Sequence, residues 1–196
     1  MQFFDLNTQN KIIKNSVMSK LMRTFNNSDY INGQYVKDFE KILSKYSNRY
    51  VVSCGNGTDA LMIALMANNC KKGDYIISSS FNYISAAEVT KLLGCKIIIT
   101  DIDETLNICP KSLNKIIEFF KRKNIFPKFC ISTSLFGNPI NFNEIKNILK
   151  KNKIIHISDL AQSFGAKYNN KNLEALSEIS TTSFFPSKPL GCYGDG

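Results

Sequence analysis

The sequence contains one histidine, three arginines and no run of apolar residues long enough to cross a bilayer. A span needs roughly 18 consecutive apolar residues, so no transmembrane helix is expected. The opening Met1-Gln2-Phe3-Phe4-Asp5 has no basic region followed by an apolar stretch, and no export signal is expected from it. The six cysteines (Cys54, Cys70, Cys95, Cys109, Cys130, Cys192) form no C-x-x-C pair. With His156 the sole histidine, no zinc-site spacing exists and no metal is expected. The cysteines read as reduced thiols, mostly in the core, which fits a cytoplasmic protein.

Of the 25 cations that give the chain its net charge of +9, 22 are lysines spread along its length. A nucleic-acid surface would cluster its charge on one element and use arginine; dispersed lysines read as solvated faces. Neither nucleic acid nor membrane is expected as a partner. The 43% hydrophobic content over 196 residues suits one globular domain, or part of a larger one, and argues against disorder. There are no repeats, low-complexity tracts or interdomain linkers.

Residues 1–30 are polar and weakly periodic and read as an arm or a short helix over 12–22. An amphipathic helix follows, with Val36, Phe39, Ile42, Leu43 and Tyr46 on one face. Strands are expected at 50–53, 74–79, 95–100 (of the buried type), 128–133, 153–158 and 179–184. Helices are expected between them. One covers 58–66. Another is opened by Ser85 with Glu88 in a capping box and closed by Gly94. A third starts at Pro110 and runs to 123, and a fourth is capped by Asn141 with Glu144 and ends near 151. Apolar strands alternating with helices give an α/β fold, a mostly parallel sheet with helices on both faces. Ligands of such sheets bind beyond the carboxyl ends of the strands.

Three loops lie at those ends. The first, 54–61, reads Cys-Gly-Asn-Gly-Thr-Asp-Ala-Leu. Its glycines let a ligand approach the backbone, and the helix start behind it offers free N–H groups and positive charge to a phosphate. It is neither a P-loop nor a G-x-G-x-x-G fingerprint. An ordinary turn in which Thr58 caps the helix is the plain alternative. In the second loop, Asp159 follows a buried strand and wants a cationic or protonated partner; a pyridinium nitrogen would serve. Gln162 could donate to the same ligand, or Asp159 could simply cap the next helix. In the third loop, Lys188 lies between Pro186 and Pro189, ahead of glycine turns. A stiffly held amine that has lost water can condense with an aldehyde; a solvated surface amine is the alternative.

The segments Gly-Asn-Gly-Thr-Asp-Ala-Leu (55–61), Asp-Leu-Ala-Gln-Ser-Phe-Gly-Ala (159–166) and Ser-Phe-Phe-Pro-Ser-Lys-Pro-Leu-Gly-Cys-Tyr-Gly-Asp-Gly (183–196) together resemble the DegT/StrS family. So do Tyr-Ile-Asn-Gly-Gln-Tyr-Val (30–36), Ser-Phe-Asn-Tyr-Ile-Ser-Ala (80–86) and Asp-Ile-Asp (101–103). Members of that family are pyridoxal-phosphate (PLP) sugar aminotransferases with the aspartate-aminotransferase-like fold, type I. The resemblance implies that Lys188 holds the PLP aldehyde covalently and later shuttles protons. It implies that Asp159 keeps the pyridine nitrogen protonated and that Gln162 lies near the ring hydroxyl. Gly57 and Thr58 match the phosphate cradle, with Ser183 as a further phosphate ligand, and Tyr83 matches a ring-stacking aromatic, unless it is a core tyrosine. The common Glu-Asp-Ala-Ala-Gln is here Ser-Asp-Leu-Ala-Gln, which keeps both functional positions. His156 reads as a core residue near the site.

On this resemblance residues 31–196 are the PLP-binding large domain, truncated at Gly196 before a small domain, behind an N-terminal arm of residues 1–30. An unpaired sheet edge would make the isolated fragment poorly soluble, and it could be inactive alone. The implied reaction moves an amino group, from glutamate, onto a nucleotide-linked keto-sugar for surface polysaccharide or glycan synthesis, in a homodimer. The wording at 52–54 and 183–196 is most similar to members that aminate carbon 3 of UDP-linked 2-acetamido-3-keto-glucuronate. Relatives with histidine at the lysine position remove a hydroxyl instead, so Lys188 favours transamination over a sugar dehydratase. A non-catalytic remnant is the third reading.

Overall fold

The structure is a computed structural model that describes residues 5–196; residues 1–4, read above for an export signal, lie outside the described residues. The chain divides into two compact units, Met1–Ser53 and Cys54–Gly196.

In the first unit, α1 (Leu6–Asn27) is longer than the helix expected over 12–22. Asp5 starts it by accepting a hydrogen bond from the Thr8 N–H at 3.1 Å, and Ser28 ends it in the left-handed conformation. No α1 residue is buried, which is why its periodicity is weak. The amphipathic α2 (Gln34–Ser47) follows and stops at left-handed Asn48. Residues 50–53 are not a strand, contrary to expectation. Tyr50 and Val52 are exposed, and the Ser53 N–H and hydroxyl both donate to Glu40 Oε1 of α2, at 2.7 and 2.8 Å. A β-branched run becomes a strand only where a sheet accepts it.

The second unit alternates regularly. It comprises α3 (Gly57–Ala67), β1 (Tyr75–Ser79), α4 (Ser85–Leu92), β2 (Lys96–Thr100), α5 (Pro110–Lys121), β3 (Phe129–Thr133), α6 (Phe142–Lys151) and β4 (Ile155–Asp159). A short hairpin, β5 (Lys167–Tyr168) with β6 (Lys171–Asn172), and then β7 (Ile179–Thr181) complete it. Five strands form a parallel sheet in the order β2-β1-β3-β4-β7. Leu61 and Leu65 of α3 and Val89 of α4 pack on one face against Ile76, Phe129, Ile131 and Ile157. Leu113 and Ile117 of α5 and Ile145 and Leu149 of α6 pack on the other against Ile77, Ile98 and Cys130. Burying one such side chain is worth about 1.5–3 kcal/mol, so the two layers fix the sheet.

Details differ from the sequence reading. β2 is not a buried strand: it lies at the sheet edge, with Ile97 37% and Ile99 48% exposed. Ser85 makes no capping box, because Ile84 is already helical and its carbonyl takes the Ala87 and Glu88 N–H groups. Gly94 does close that turn, at φ +68°, and Asn141 caps α6 by bonding the Glu144 N–H and carboxylate. β7 ends at Thr181 rather than at 184. Only Cys95 and Cys130 are buried; Cys54, Cys70 and Cys109 are half-buried and Cys192 is exposed. Among the described residues no helix is long and apolar enough to cross a membrane, and no group of three metal-binding side chains occurs.

His156 is a core residue of β4. Its Nε2 lies 2.7 Å from Ser132 Oγ and its Nδ1 3.4 Å from Ser177 Oγ. Burial, helped by the charge of Lys146, lowers its pKa from 6.5 to about 4. A folded value below the unfolded one means the stability it contributes is full above pH 6.5 and is lost as pH falls toward 4. Thermal melts should therefore show Tm falling more steeply between about pH 6.5 and 4 in the native protein than in His156→Gln; parallel curves would contradict this.

Candidate active site

The sheet register builds the site. Thr133, Asp159 and Thr181 are direct neighbours at the ends of β3, β4 and β7. Ile131 and Ile157, two residues earlier, pack against α3, so strand alternation places the three polar residues on the α3 face. Asp159 is 4% exposed. Its Oδ1 accepts from the Ala161 N–H at 3.0 Å and its Oδ2 from the Thr133 hydroxyl at 3.4 Å. Burial raises its pKa; those hydrogen bonds and the charge of Lys188 pull the other way. The carboxylate caps a turn, not a helix, since no helix follows it. The Thr181 hydroxyl is buried without a partner among the described residues.

Gln162 stands in the turn after Asp159, and its Oε1 accepts the Phe136 N–H at 3.1 Å. The amide is thus anchored through its oxygen, and its NH2 has no protein partner among the described residues.

At the start of α3, Asn56 rather than Thr58 is the cap. Its Oδ1 accepts the Asp59 N–H at 2.8 Å, and its Nδ2 donates to Asp59 Oδ2 at 3.0 Å. The N–H groups of Gly57 and Thr58, which have no partner within the helix, are left for an anion, with the helix dipole behind them. A Cβ on Gly57 would stand 2.8 Å from Ser183 Cβ, so the first and third loops meet there. The Ser183 hydroxyl, which accepts the Phe185 N–H at 3.3 Å, thus lies beside the helix start.

Lys188 is half-buried, its N–H bonded to the Phe185 carbonyl at 2.8 Å. A side chain on Gly191 would collide with the Pro186 carbonyl oxygen, which requires glycine in that turn. Lys188 Nζ lies 6.0 Å from the centre of the Tyr83 ring and acts electrostatically on Asp159. Tyr83 is 63% exposed and is not a core tyrosine.

The structure thus pairs Gly57 with Ser183, Lys188 with Tyr83 and Asp159 with the charge of Lys188. It leaves the Thr58 hydroxyl free of capping, and ties Gln162 to Phe136. Thr133, Thr181 and Asn107 went unread in the sequence. Thr133 could have been found by aligning the ends of the third and fourth strands; the Phe136 N–H, and Asn107, whose side chain bonds the Leu135 N–H and the Asn138 carbonyl, leave no local signal. Together the groups offer an anion seat, a buried acid with no cation within bonding distance among the described residues, and an amine.

Residues 11–196 match the DegT/DnrJ/EryC1/StrS aminotransferase family. A UDP-2-acetamido-2-deoxy-3-oxo-D-glucuronate aminotransferase from Pseudomonas aeruginosa is 41% identical over 198 residues, covering 100% of this chain and 54% of the relative. A crystal structure of a DegT DnrJ EryC1 StrS aminotransferase from Brucella abortus superposes with TM-score 0.96 at 36% identity, over 100% of this chain and 53% of that one. A Bacillus subtilis structure with bound cofactor PMP superposes with TM-score 0.83 at 28% identity, over 91% and 39%. The chain spans about half the length of the curated relatives it matches.

A carboxyl that titrates above its ordinary 3.8 in the folded state contributes stability that is full below that pH and lost as pH rises through the raised value. Asp159→Asn should therefore stabilise the ligand-free protein at neutral pH, by ~1 kcal/mol. Melts at a series of pH values should show the gain shrinking into the acid range. A variant less stable than the native protein at neutral pH would contradict the assignment.

Proposed function

The chain belongs to the DegT/DnrJ/EryC1/StrS aminotransferase family, and from that premise we propose that the whole protein is a PLP-dependent transaminase of a nucleotide-linked keto-sugar. The carrying observation is Asp159: a carboxyl buried at the strand ends, with no ion pair among the described residues and the amine of Lys188 near enough to act on it. The residues present fit pyridoxal phosphate. The open N–H groups at Gly57 and Thr58, with Ser183 beside them, suit its phosphate. Asp159 suits a protonated ring nitrogen, the donors of Gln162 the ring hydroxyl, the exposed face of Tyr83 the ring, and Lys188 the aldehyde.

When bound, the cofactor supplies an electron sink for negative charge developing on the substrate carbon beside nitrogen. The chain's residues do the rest. Asp159, dry and ionised opposite a cation, holds the proton on the ring nitrogen. The α3 start and Ser183 anchor the phosphate end, so that the ring has one orientation. Lys188, pinned by the turn over 185–191, takes a proton from one substrate atom and returns it to another. A lysine at 188 favours amine transfer over hydroxyl loss, for which relatives carry histidine at this position.

Glutamate is the proposed amino donor, and carbon 3 of a UDP-linked 2-acetamido-3-keto-glucuronate the proposed acceptor position, serving surface polysaccharide or glycan. The Pseudomonas relative's name supports that sugar. On this reading residues 31–196 belong to the cofactor-binding large domain behind an arm of residues 1–30, and the protein acts as a homodimer in the cytoplasm.

Borohydride treatment of the whole protein loaded with pyridoxal phosphate should leave a reduced adduct on the peptide carrying Lys188, absent from Lys188→Ala. No adduct, or one elsewhere, overturns the reading. Product from the UDP-keto-sugar that has lost a hydroxyl without gaining glutamate's nitrogen would make the protein a dehydratase.

A further inference from the structure

Asn107 is 1% exposed and belongs to no strand or helix. It lies in the loop that follows β2, which closes on itself through the Ile102–Ile108 bridge, the Asp103 N–H to the Asn107 carbonyl at 2.9 Å, and the Cys109 N–H to the Asp101 carbonyl at 3.0 Å. Leu106, beside it, is left-handed at φ +63°. From this loop Asn107 reaches across 28 residues to the turn after β3. Its Oδ1 accepts the Leu135 N–H at 2.9 Å and its Nδ2 donates to the Asn138 carbonyl at 2.9 Å. It thereby grips both ends of the short 3-10 turn Leu135–Gly137. Asn138 Nδ2 returns a bond to the Thr105 carbonyl at 3.5 Å.

Inside the gripped turn Phe136 is left-handed, at φ +55°. A bulky residue holds that conformation only when its surroundings impose it. In this conformation the Phe136 N–H donates to Gln162 Oε1. A carboxamide can present either its oxygen or its NH2 to a ligand; the Phe136 N–H anchors this one through its oxygen, and the NH2, which has no protein partner among the described residues, is the end left for a ligand.

We propose that Asn107 is a positioning residue which, through the 135–137 turn and the Phe136 N–H, fixes the Gln162 carboxamide with its NH2 donors toward the cofactor. Asn107 touches neither cofactor nor substrate and acts only through Gln162. The inference rests on the cofactor reading given above. An oxygen acceptor on the cofactor ring, neutral or ionised, is the group those donors suit; a flipped amide would oppose oxygen to oxygen.

The test is a double-mutant cycle on the whole protein, with pyridoxal phosphate affinity followed by the visible absorption of the bound cofactor. Asn107→Ala and Gln162→Ala should each weaken binding by roughly five- to tenfold, and the double variant no further than Gln162→Ala alone. Losses that multiply in the double variant, or an Asn107→Ala of unchanged affinity, overturn the proposal. Asn107→Ser, which keeps a small polar group in the pocket, is the second variant should alanine not fold, with the same non-additivity expected. Hydrogen–deuterium exchange of residues 134–138, measured without cofactor, should speed up in either variant; unchanged exchange also overturns the proposal. A native protein that binds no pyridoxal phosphate, but whose turn still exchanges faster when Asn107 is changed, refutes the cofactor reading and not the clamp.

Discussion

The common end of β3, β4 and β7 is the constraint from which the rest follows. The five strands of the main sheet, joined by crossovers, all run the same way, so their carboxyl ends open at one end of the sheet. Two layers of leucine, isoleucine and phenylalanine lock the register, and the register puts Thr133, Asp159 and Thr181 side by side. The same end receives the N-terminus of α3 and the segment after β7. Chemistry from residues as far apart as 57 and 183 is thus gathered without a long loop.

That placement has a cost. An ionised carboxylate taken out of water loses several kcal/mol of solvation, and two hydrogen bonds recover only part of it. Asp159 has two such bonds, one of them 3.4 Å long, and the field of a lysine. The protein by itself tilts this group toward its neutral form, whereas a bound cation would tilt it back. A site left short of one positive charge is a site built to receive one. The other end is complementary: Asn56 consumes the Asp59 donor of α3 and leaves those of Gly57 and Thr58, while Gly57 lacks the side chain that would push Ser183 away. A ligand with an anion at one end and a protonated nitrogen at the other satisfies both deficits together.

The sheet was legible because Ile-rich runs such as 76–77, 97–99 and 154–157 alternate with capped or proline-started helices, and the local signals agree with the packing. Where they diverged, tertiary context won. Val51 and Val52 look like strand residues, but their segment is tied to α2 through Ser53 and Glu40 instead of a sheet, and Ile97 and Ile99 look buried but lie on an edge. Asp159 and Lys188 could be singled out because a carboxylate past a buried strand and a lysine between prolines are locally odd. Asn107 could not, since its partners lie 28 and 31 residues away and both are main-chain atoms. A side chain that serves distant backbone leaves no periodicity and no motif.

Backbone strain marks the same corner. Ten described non-glycine residues have positive φ, and six are asparagines, which tolerate that region. Leu106 and Phe136 are the two bulky apolar ones, and both adjoin the hydrogen bonds of Asn107. A non-glycine residue in the left-handed region costs about 1–3 kcal/mol, while each buried hydrogen bond returns about 1 kcal/mol. Glycine at 136 would relieve the strain, yet it would also free the turn to present its N–H in many directions. The costlier residue makes sense if a single direction for that N–H is what the fold retains, and the structure directs it at Gln162.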